Sequence, residues 1–392
     1  MTQRLRLGMV GGGEGAFIGA VHRIAARLDD SFELVAGALS SDAARAQASA
    51  DAIGLARSYA DWREMARAEG ARDDGIDAVA IVTPNHLHAP VAHAFMDAGI
   101  HVICDKPLAV SLAQGEALAQ HARDAGLVVA LTHTYSGYPL VRHARELVAA
   151  GELGEVRVVQ VEYAQDWLAT PLERDGGHGA HGANRQASWR TDPAQAGPAG
   201  CLGDIGTHAY QLAAFVSGME PSSVAAEVHT FVPGRRVDDH VQAMLRYANG
   251  ARGMLWASQV ASGAENALRL RVYGTKAGLA FDQEEPNVLW LTPQGGEAQR
   301  LTRARVTGEA ARHATRVPAG HPEGYLEAFA QLYRDAAAQI QARKVGQAAP
   351  RESLLLTTVD DGVAGLRFIE AVLASSAADG AWRDVASGGR PR

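Results

Sequence analysis

Five short apolar runs do most to limit what this chain can fold into. They are LRLGMV (Leu5–Val10), FELVAGAL (Phe32–Leu39), IDAVAIV (Ile76–Val82), HVICD (His101–Asp105) and LVVALT (Leu127–Thr132). Helical patterns separate them: an Ala-rich stretch to about Leu28, SDAARAQASADAIG closed by Gly54, HLHAPVAHAFMDAG closed by Gly99, and residues 111–125. Ser41 or Asp42 supplies the cap of the second helix. Runs this short and this apolar are strands buried on both faces, and parallel neighbours need a crossover between them. The pattern predicts a doubly wound α/β nucleotide-binding (Rossmann) domain over residues 1–132.

From residue 133 the period changes. A helix near Tyr138–Ala150 closes at Gly151, and then EVRVVQVEYA, SVAAEVHTFV, HVQAMLRYA, ARGMLWASQV, LRLRVYG, LAFD and VLWLT alternate apolar with polar residues. Strands at hairpin spacing with one apolar face predict a large, open, mostly antiparallel sheet. Residues 133–392 therefore read as a second domain, of α+β class. Its two last helices, about Glu323–Ala342 and Arg351–Ser375, are free to pack back on the first domain. The interruption Leu168–Gly203, dense in Gly, His and Pro, is too long for a plain connection and reads as a lid or pocket wall.

Bulk properties narrow the function classes. A chain of 392 residues exceeds one ordinary core. It has 47% apolar and 21% charged residues and a net charge of −7, with arginines scattered among acids. That balance favours neither nucleic acid nor a membrane surface. No apolar run approaches a membrane span, and the first residues enter a strand without a signal-peptide pattern. The two cysteines, Cys104 and Cys201, suggest no disulfide framework or cysteine metal cluster, so a cytoplasmic protein is expected.

The first strand runs into GGGEGAFIG. Strand, glycines and helix in that order make a phosphate cradle, in which backbone N–H groups and a helix N-terminus face a pyrophosphate. Gly11 and Gly13 take the first two positions of G-x-G-x-x-G, Ala16 takes the third, and Gly15 and Gly19 imply a longer loop. Gly11, Gly12, Gly13, Phe17 and Ile18 are the candidate cofactor contacts here. The alternative is a ligand-free strand–helix turn. The second strand ends ALSSDAAR, with no acid where an NAD ribose would find one. Ser40 and Ser41 can bond a 2′-phosphate and Arg45 can cover it, which leans the expectation from NAD towards NADP. Asp42 would repel that phosphate, and Ser41 or Asp42 has a competing use as a helix cap.

Three motifs remain. TPNHLHAP follows the third of these runs, CDKPLAV the fourth, and GCLGDIGTH lies at Gly200–His208. In open α/β sheets the ligand lies outside the carboxyl ends of the strands, so Lys106 faces the cofactor crevice, with Pro107 fixing the chain and Asp105 beside it. Asp204 and His208 stand four residues apart, on one face of a helix. That stretch reads equally as a helix start or as an acid–base pair. His86 and His88 are not assigned to a metal, and no helical metal-ligand set occurs.

Taken together, GMVGGG…IGAVHR, TPNHLHAP, CDKPLAVS and GDIGTH, in this order and across essentially the whole chain, resemble the Gfo/Idh/MocA family of NAD(P)-dependent sugar and polyol oxidoreductases. Aspartate stands in DKP where the family usually has glutamate, the glycine loop is extended by EGAF, and THTYSGYP lacks the arginines many relatives carry there. The resemblance implies that Lys106 lies near the nicotinamide with Asp204 and His208 beside it as the acid–base pair. It implies that Thr83, Pro84, Asn85 and His86 border the cofactor, and that the open sheet face mediates a homodimer or homotetramer. QDWL and ASWRTDP resemble a branch acting on sugars or anhydrosugars.

Alcohol oxidation needs a hydride acceptor and a group that takes the hydroxyl proton. His208 suits the proton, Lys106 the developing negative charge on oxygen, and Asp204 the orientation of either. Tyr135, Asp166, Trp167, Trp189 and Arg190 combine aromatic faces with polar groups, as a sugar pocket requires, and each also has a reading as a packing residue. His178 and His181 lack a third ligand and read as parts of a lid. Two other functions stay open: a glycosidase-type enzyme that oxidises its substrate only transiently, and a non-catalytic NADP-binding regulator.

Overall fold

The computed structural model describes residues 4–173 and 183–385. The chain opens with β1 (Leu5–Gly11), α1 (Phe17–Leu28), β2 (Phe32–Ala38), α2 (Ala43–Ala52), β3 (Arg57–Ser58), α3 (Trp62–Gly70), β4 (Ala78–Val82), α4 (His88–Asp97), β5 (His101–Cys104), α5 (Leu112–Ala125) and β6 (Val129–Leu131). Next come α6 (Pro139–Ala149), β7 (Val156–Ala164), α7 (Ala183–Arg190), α8 (Pro193–Ala196), α9 (Thr207–Ser217) and β8 (Pro221–His229). Then follow β9 (His240–Tyr247), β10 (Arg252–Ser258), β11 (Ala267–Gly274), β12 (Ala277–Asp282), β13 (Val288–Pro293), β14 (Gln299–Thr302) and α10 (Glu309–Ala314). The last elements are α11 (Tyr325–Lys344), α12 (Val359–Ser376) and β15 (Arg383–Asp384).

One compact unit takes the residues up to Gly137 together with Tyr325–Val363. Its sheet has six strands in the order β3-β2-β1-β4-β5-β6, every pair parallel. The order reverses between β1 and β4, the switch point at which such sheets bind ligands. Helix starts are fixed by short polar side chains. Asp42 caps α2 through the Arg45 N–H, Asp61 caps α3 through Arg63 and Glu64, and Ser111 caps α5 through Gln114. Leu5, Leu7, Met9, Phe32 and Ile103 form the core, which Phe329, Tyr333 and Ile340 of α11 complete. The Tyr333 hydroxyl meets His22 Nδ1 at 2.7 Å within that core. The short, mostly polar stretch WREMARAEG forms α3, capped by Asp61 and burying Met65 and Ala66 on one face.

The other unit takes Tyr138–Gly324 and the residues from Ala364. Its sheet has nine strands in the order β14-β13-β12-β11-β7-β10-β9-β8-β15. β7 and β10 are parallel at the centre and the other pairs are antiparallel. Alternation sends Val159, Val161, Tyr163, Leu255, Leu270 and Val272 to a buried face, on which α9 packs. The register lines up Ala225, Met244, Met254, Gln160, Arg271, Ala280 and Trp290 across the opposite face. Within Leu168–Gly203 the described residues form α7 and α8, so this stretch is more than a loop. His178 and His181 lie outside the described residues. No helix among the described residues is long and apolar enough to cross a membrane.

Candidate active site

The glycine loop is crowded on one side and open on the other. Gly12 has φ +72°, and a Cβ there would come within 2.9 Å of the Gly19 Cα in the first turn of α1. A Cβ on Gly19 would stand 2.4 Å from the Gly12 backbone, so α1 rests directly on the loop. Arg23 of α1 donates to the Gly12 carbonyl at 2.7 Å, and the Ser49 hydroxyl accepts from the Glu14 N–H at 3.2 Å. Ala16 occupies the cap position of α1 and provides no side-chain hydrogen bond. The first N–H groups of α1 are therefore left for another acceptor. Phe17 is exposed and Ile18 packs partly against the core.

Of the residues after β2, Asp42 is the helix cap: its Oδ1 accepts from the Arg45 N–H at 2.8 Å. The Ser40 hydroxyl accepts from the Asp42 N–H at 3.2 Å, while Ser41 is exposed. The choice between Ser41 and Asp42 as cap thus falls on Asp42.

His88 joins the two loops at the ends of β4 and β5. Its Nδ1 lies 2.6 Å from the Pro107 carbonyl and its Nε2 2.9 Å from the Thr83 carbonyl. Both carbonyls favour the protonated ring, but burial pulls its pKa below the ordinary histidine value. His88 is a brace, placed at the start of α4, and not a metal ligand. Asp105 accepts from the Thr132 hydroxyl at 2.7 Å, and Lys106 stands half-buried before Pro107. Pro84 leads into a 3₁₀ turn with Asn85 buried. Thr83 Oγ1 and His86 Nδ1 are buried atoms with no hydrogen-bond partner among the described residues. Tyr135 is buried in the 3₁₀ turn Thr134–Gly137 of this same unit.

In the second unit, GCLGDIGTH forms a π-helical turn, Leu202–Gly206, that runs straight into α9. The stretch does start a helix, through a turn wider than an α-helical one that begins on a carboxylate from elsewhere. Asp238 accepts from the Gly200 N–H and the Leu202 N–H, each at 2.7 Å, and its carbonyl accepts from the Cys201 N–H at 2.8 Å. Asp204 Oδ2 then accepts from the Gln259 amide at 2.9 Å and lies 3.4 Å from Arg190 Nε. Arg190 is stacked on Trp189, 4.2 Å from the ring centroid, faces Trp167 at 5.9 Å, and donates to Gln186 Oε1 at 2.6 Å. His208 is buried, its ring edge-on to Tyr163 at 6.3 Å.

Five sequence candidates, Trp167, Trp189, Arg190, Asp204 and His208, thus fall in this one unit, with Arg190 touching three of the others. Asp166 behaves differently. It is exposed, and its carboxylate accepts from the Gly263 N–H at 2.9 Å, bracing the turn after β10. Sequence reasoning missed Gln259, Asp238 and a run of amides. Trp167 Nε1 donates to Gln165 Oε1 at 3.1 Å, and Gln165 donates to Asn266 at 2.7 Å. Asn266 also accepts from the Tyr163 hydroxyl at 2.7 Å and donates to Gln283 at 2.8 Å. None of these carries a motif, and the one signal was position, since Gln165 and Gln259 each follow the end of a strand. Cys104 and Cys201 are both buried, and burial pushes both thiols well up, which disfavours the reactive thiolate.

Residues 5–133 match the family model for the NAD-binding Rossmann fold of the oxidoreductase family, and residues 141–280 match the GFO/IDH/MocA C-terminal domain. The chain belongs to the Gfo/Idh/MocA oxidoreductase family. It is similar to the solved structure of an oxidoreductase from Sinorhizobium meliloti, with 47% identity, a TM-score of 0.86 and coverage of 97% of this chain and 100% of that one. An inositol dehydrogenase homolog from Azotobacter vinelandii, solved with NADH and myo-inositol, is 34% identical with a TM-score of 0.89, covering 98% of each chain. Levoglucosan dehydrogenase of Pseudarthrobacter phenanthrenivorans is 31% identical over 328 residues, 76% of this chain and 78% of that one.

The residues present fit the dinucleotide that a Gfo/Idh/MocA enzyme uses. A pyrophosphate can take the uncapped N–H groups of α1 across the glycines. Thr83 Oγ1 and His86 Nδ1 are buried polar atoms still lacking a partner, and they sit at the end of β4, one strand from the loop.

Proposed function

We propose that the chain is an NAD(P)-dependent dehydrogenase or reductase of a sugar, inositol or related polyol. The observation that carries this reading is the π-turn. It presents a carboxylate, Asp204, held by the Gln259 amide and the Arg190 guanidinium, one turn ahead of a buried histidine. An anion fixed by one hydrogen bond and one ion pair is suited to orient a partner. A buried imidazole following it is suited to exchange a proton with a hydroxyl. In this reading His208 takes the proton of the substrate hydroxyl, and Lys106 donates to the same oxygen and stabilises its negative charge. The nicotinamide, when bound, supplies the hydride acceptor or donor. Arg190 with Trp167 and Trp189 offers the sugar polar donors and flat apolar faces. Ser41 and Arg45 border the adenosine ribose and admit NADP. The relatives named for inositol and levoglucosan support the polyol class.

A screen of sugars and polyols against NAD and NADP, read by the absorbance of the reduced cofactor, tests the proposal. Steady reduction or oxidation with at least one polyol or ketose is expected. Product release without net change in cofactor absorbance would indicate the transient-oxidation enzyme instead, and tight NADP binding with no turnover across the panel would indicate a regulator.

For assembly we propose a homodimer or homotetramer through the open face of the second sheet. Met244, Met254 and Trp290 line up there, 58%, 51% and 42% exposed. The adjacent Met244 and Met254, with Trp290 further along the same face, leave large apolar side chains exposed on a sheet face, as an interaction surface does.

A further inference from the structure

We propose that Asp238 is the positioning residue of this site: it clamps the start of the π-turn and thereby aims Asp204 and His208. The inference rests on the oxidoreductase reading for its catalytic consequence and on geometry for the clamp itself.

Asp238 touches no candidate substrate group. Both of its carboxylate oxygens accept backbone N–H groups, Gly200 on one and Leu202 on the other, and its own carbonyl accepts from Cys201. Three successive residues are thus held by one, at the point where the chain enters the turn. The fit is close. A Cβ on Gly200 would lie 2.2 Å from the Asp238 carbonyl oxygen. The next intrachain bond, from the Asp204 N–H to the Gly200 carbonyl at 2.9 Å, already belongs to the turn. π-helical turns are rare and occur mostly as single turns within α-helices, frequently at functional sites. Here the fixing groups lie at both ends: Asp238 at the entry, and Gln259 and Arg190 on Asp204.

The clamp carries a charge in a buried place. Asp239, its neighbour, is also buried, bonded to the Phe231 and Val232 N–H groups and to the Arg235 guanidinium. The Cys201 thiol and Asp204 face the same region from the turn, and Gln259 packs there from the end of β10. Burial, with Asp239 adding to it, pushes the Asp238 carboxyl up to about 6, against the pull of the two N–H bonds. Protonation turns one carboxylate oxygen into a hydroxyl, a poor acceptor for the N–H it faces. The clamp therefore loosens as the pH falls through that value, with the fold intact.

The test uses Asp238→Asn and Asp238→Ala in the full chain, beside the wild type. Hydrogen–deuterium exchange of a peptide spanning 200–208 reads the clamp without any substrate. Exchange is expected to be faster by about tenfold or more in both variants, with the 267–274 peptide unchanged. With a polyol from the screen, kcat is expected to fall by about tenfold for Asp238→Asn and further for Asp238→Ala, while NADH affinity and substrate KM move by less than about threefold. The acid limb of the kcat profile near pH 6 is expected to be altered in Asp238→Asn. Should the variants fail to fold, the wild type suffices: after correction for intrinsic rates, exchange in 200–208 should rise between about pH 7 and about pH 5, and that in 267–274 should not. Unchanged protection of 200–208, or folded variants with kcat within about twofold of wild type, overturns the proposal. A wild type that turns over no polyol sinks the oxidoreductase reading and leaves the exchange result to judge the clamp.

Discussion

His208 and Arg45 make the sharpest predictions at the scale of single residues. Removing a positioned acid–base group costs about 10²–10⁴ in rate. His208→Ala is expected to lower kcat in that range and to leave NADH binding unaltered, as fluorescence titration can check; the reverse pattern would remove His208 from the chemistry. Arg45 has its backbone N–H tied to Asp42, and its side chain lies on an exposed helix start. A guanidinium there serves a 2′-phosphate and is of little use to a ribose diol. Arg45→Ala should cut kcat/KM for NADP by about tenfold or more and change that for NAD by less than about twofold. Equal losses with both cofactors would place Arg45 outside the ribose pocket.

At the scale of elements, the glycine loop and the π-turn show what a sequence exposes and what it hides. Gly19 is the stringent position of the loop, because any Cβ there meets the Gly12 backbone. Gly19→Ala should lower the thermal midpoint and weaken NADH binding by about tenfold or more, since the loop and α1 must separate. The six-stranded sheet was legible because burial on both faces leaves apolar runs that need no partner to be recognised. The strand β3 was not, since two residues carry no period, and neither was α3, a mostly polar segment of nine residues with few apolar side chains to mark it. In GDIGTH the i, i+4 spacing was visible, yet the turn that displays it is π-helical, and Asp238, 38 residues beyond Gly200, sets its entry. Long-range carboxylate caps leave no local mark. For the same reason Gln259 and Asn266 were invisible: an amide becomes informative only once its bonding partners are known.

For the whole molecule, buried histidines set the response to acid. Burial pulls His22, His101 and His133 each from the ordinary 6.5 down to about 4. Between those values the unfolded chain binds protons that the folded chain refuses, so stability is lost as the pH falls through this window, at about 1.4 kcal/mol per pH unit for each fully titrating group. Asp238 works the other way over part of the range, since its raised pKa lets the folded chain take a proton first. Three groups against one leave a net loss. The denaturant midpoint should drop clearly between about pH 7 and about pH 5, and a flat profile would contradict the burial of these rings. Assembly has its own test. Met254→Asp places a charge on the exposed apolar face, and if the proposed assembly forms there, the variant should run as a monomer in light scattering where the wild type does not, with the fold retained. One further consequence follows from α11. The nucleotide-binding unit is begun at the first strand, but Phe329, Tyr333 and Ile340 belong to its core. During synthesis a ribosome delivers β7 to β14 of the second sheet before α11 can complete the core of the first. The half made earliest is finished late, and until then its apolar strands depend on whatever chaperones meet the nascent chain. A stop codon placed after Gly324 would remove no glycine-loop residue and should still leave a protein that cannot hold NADH.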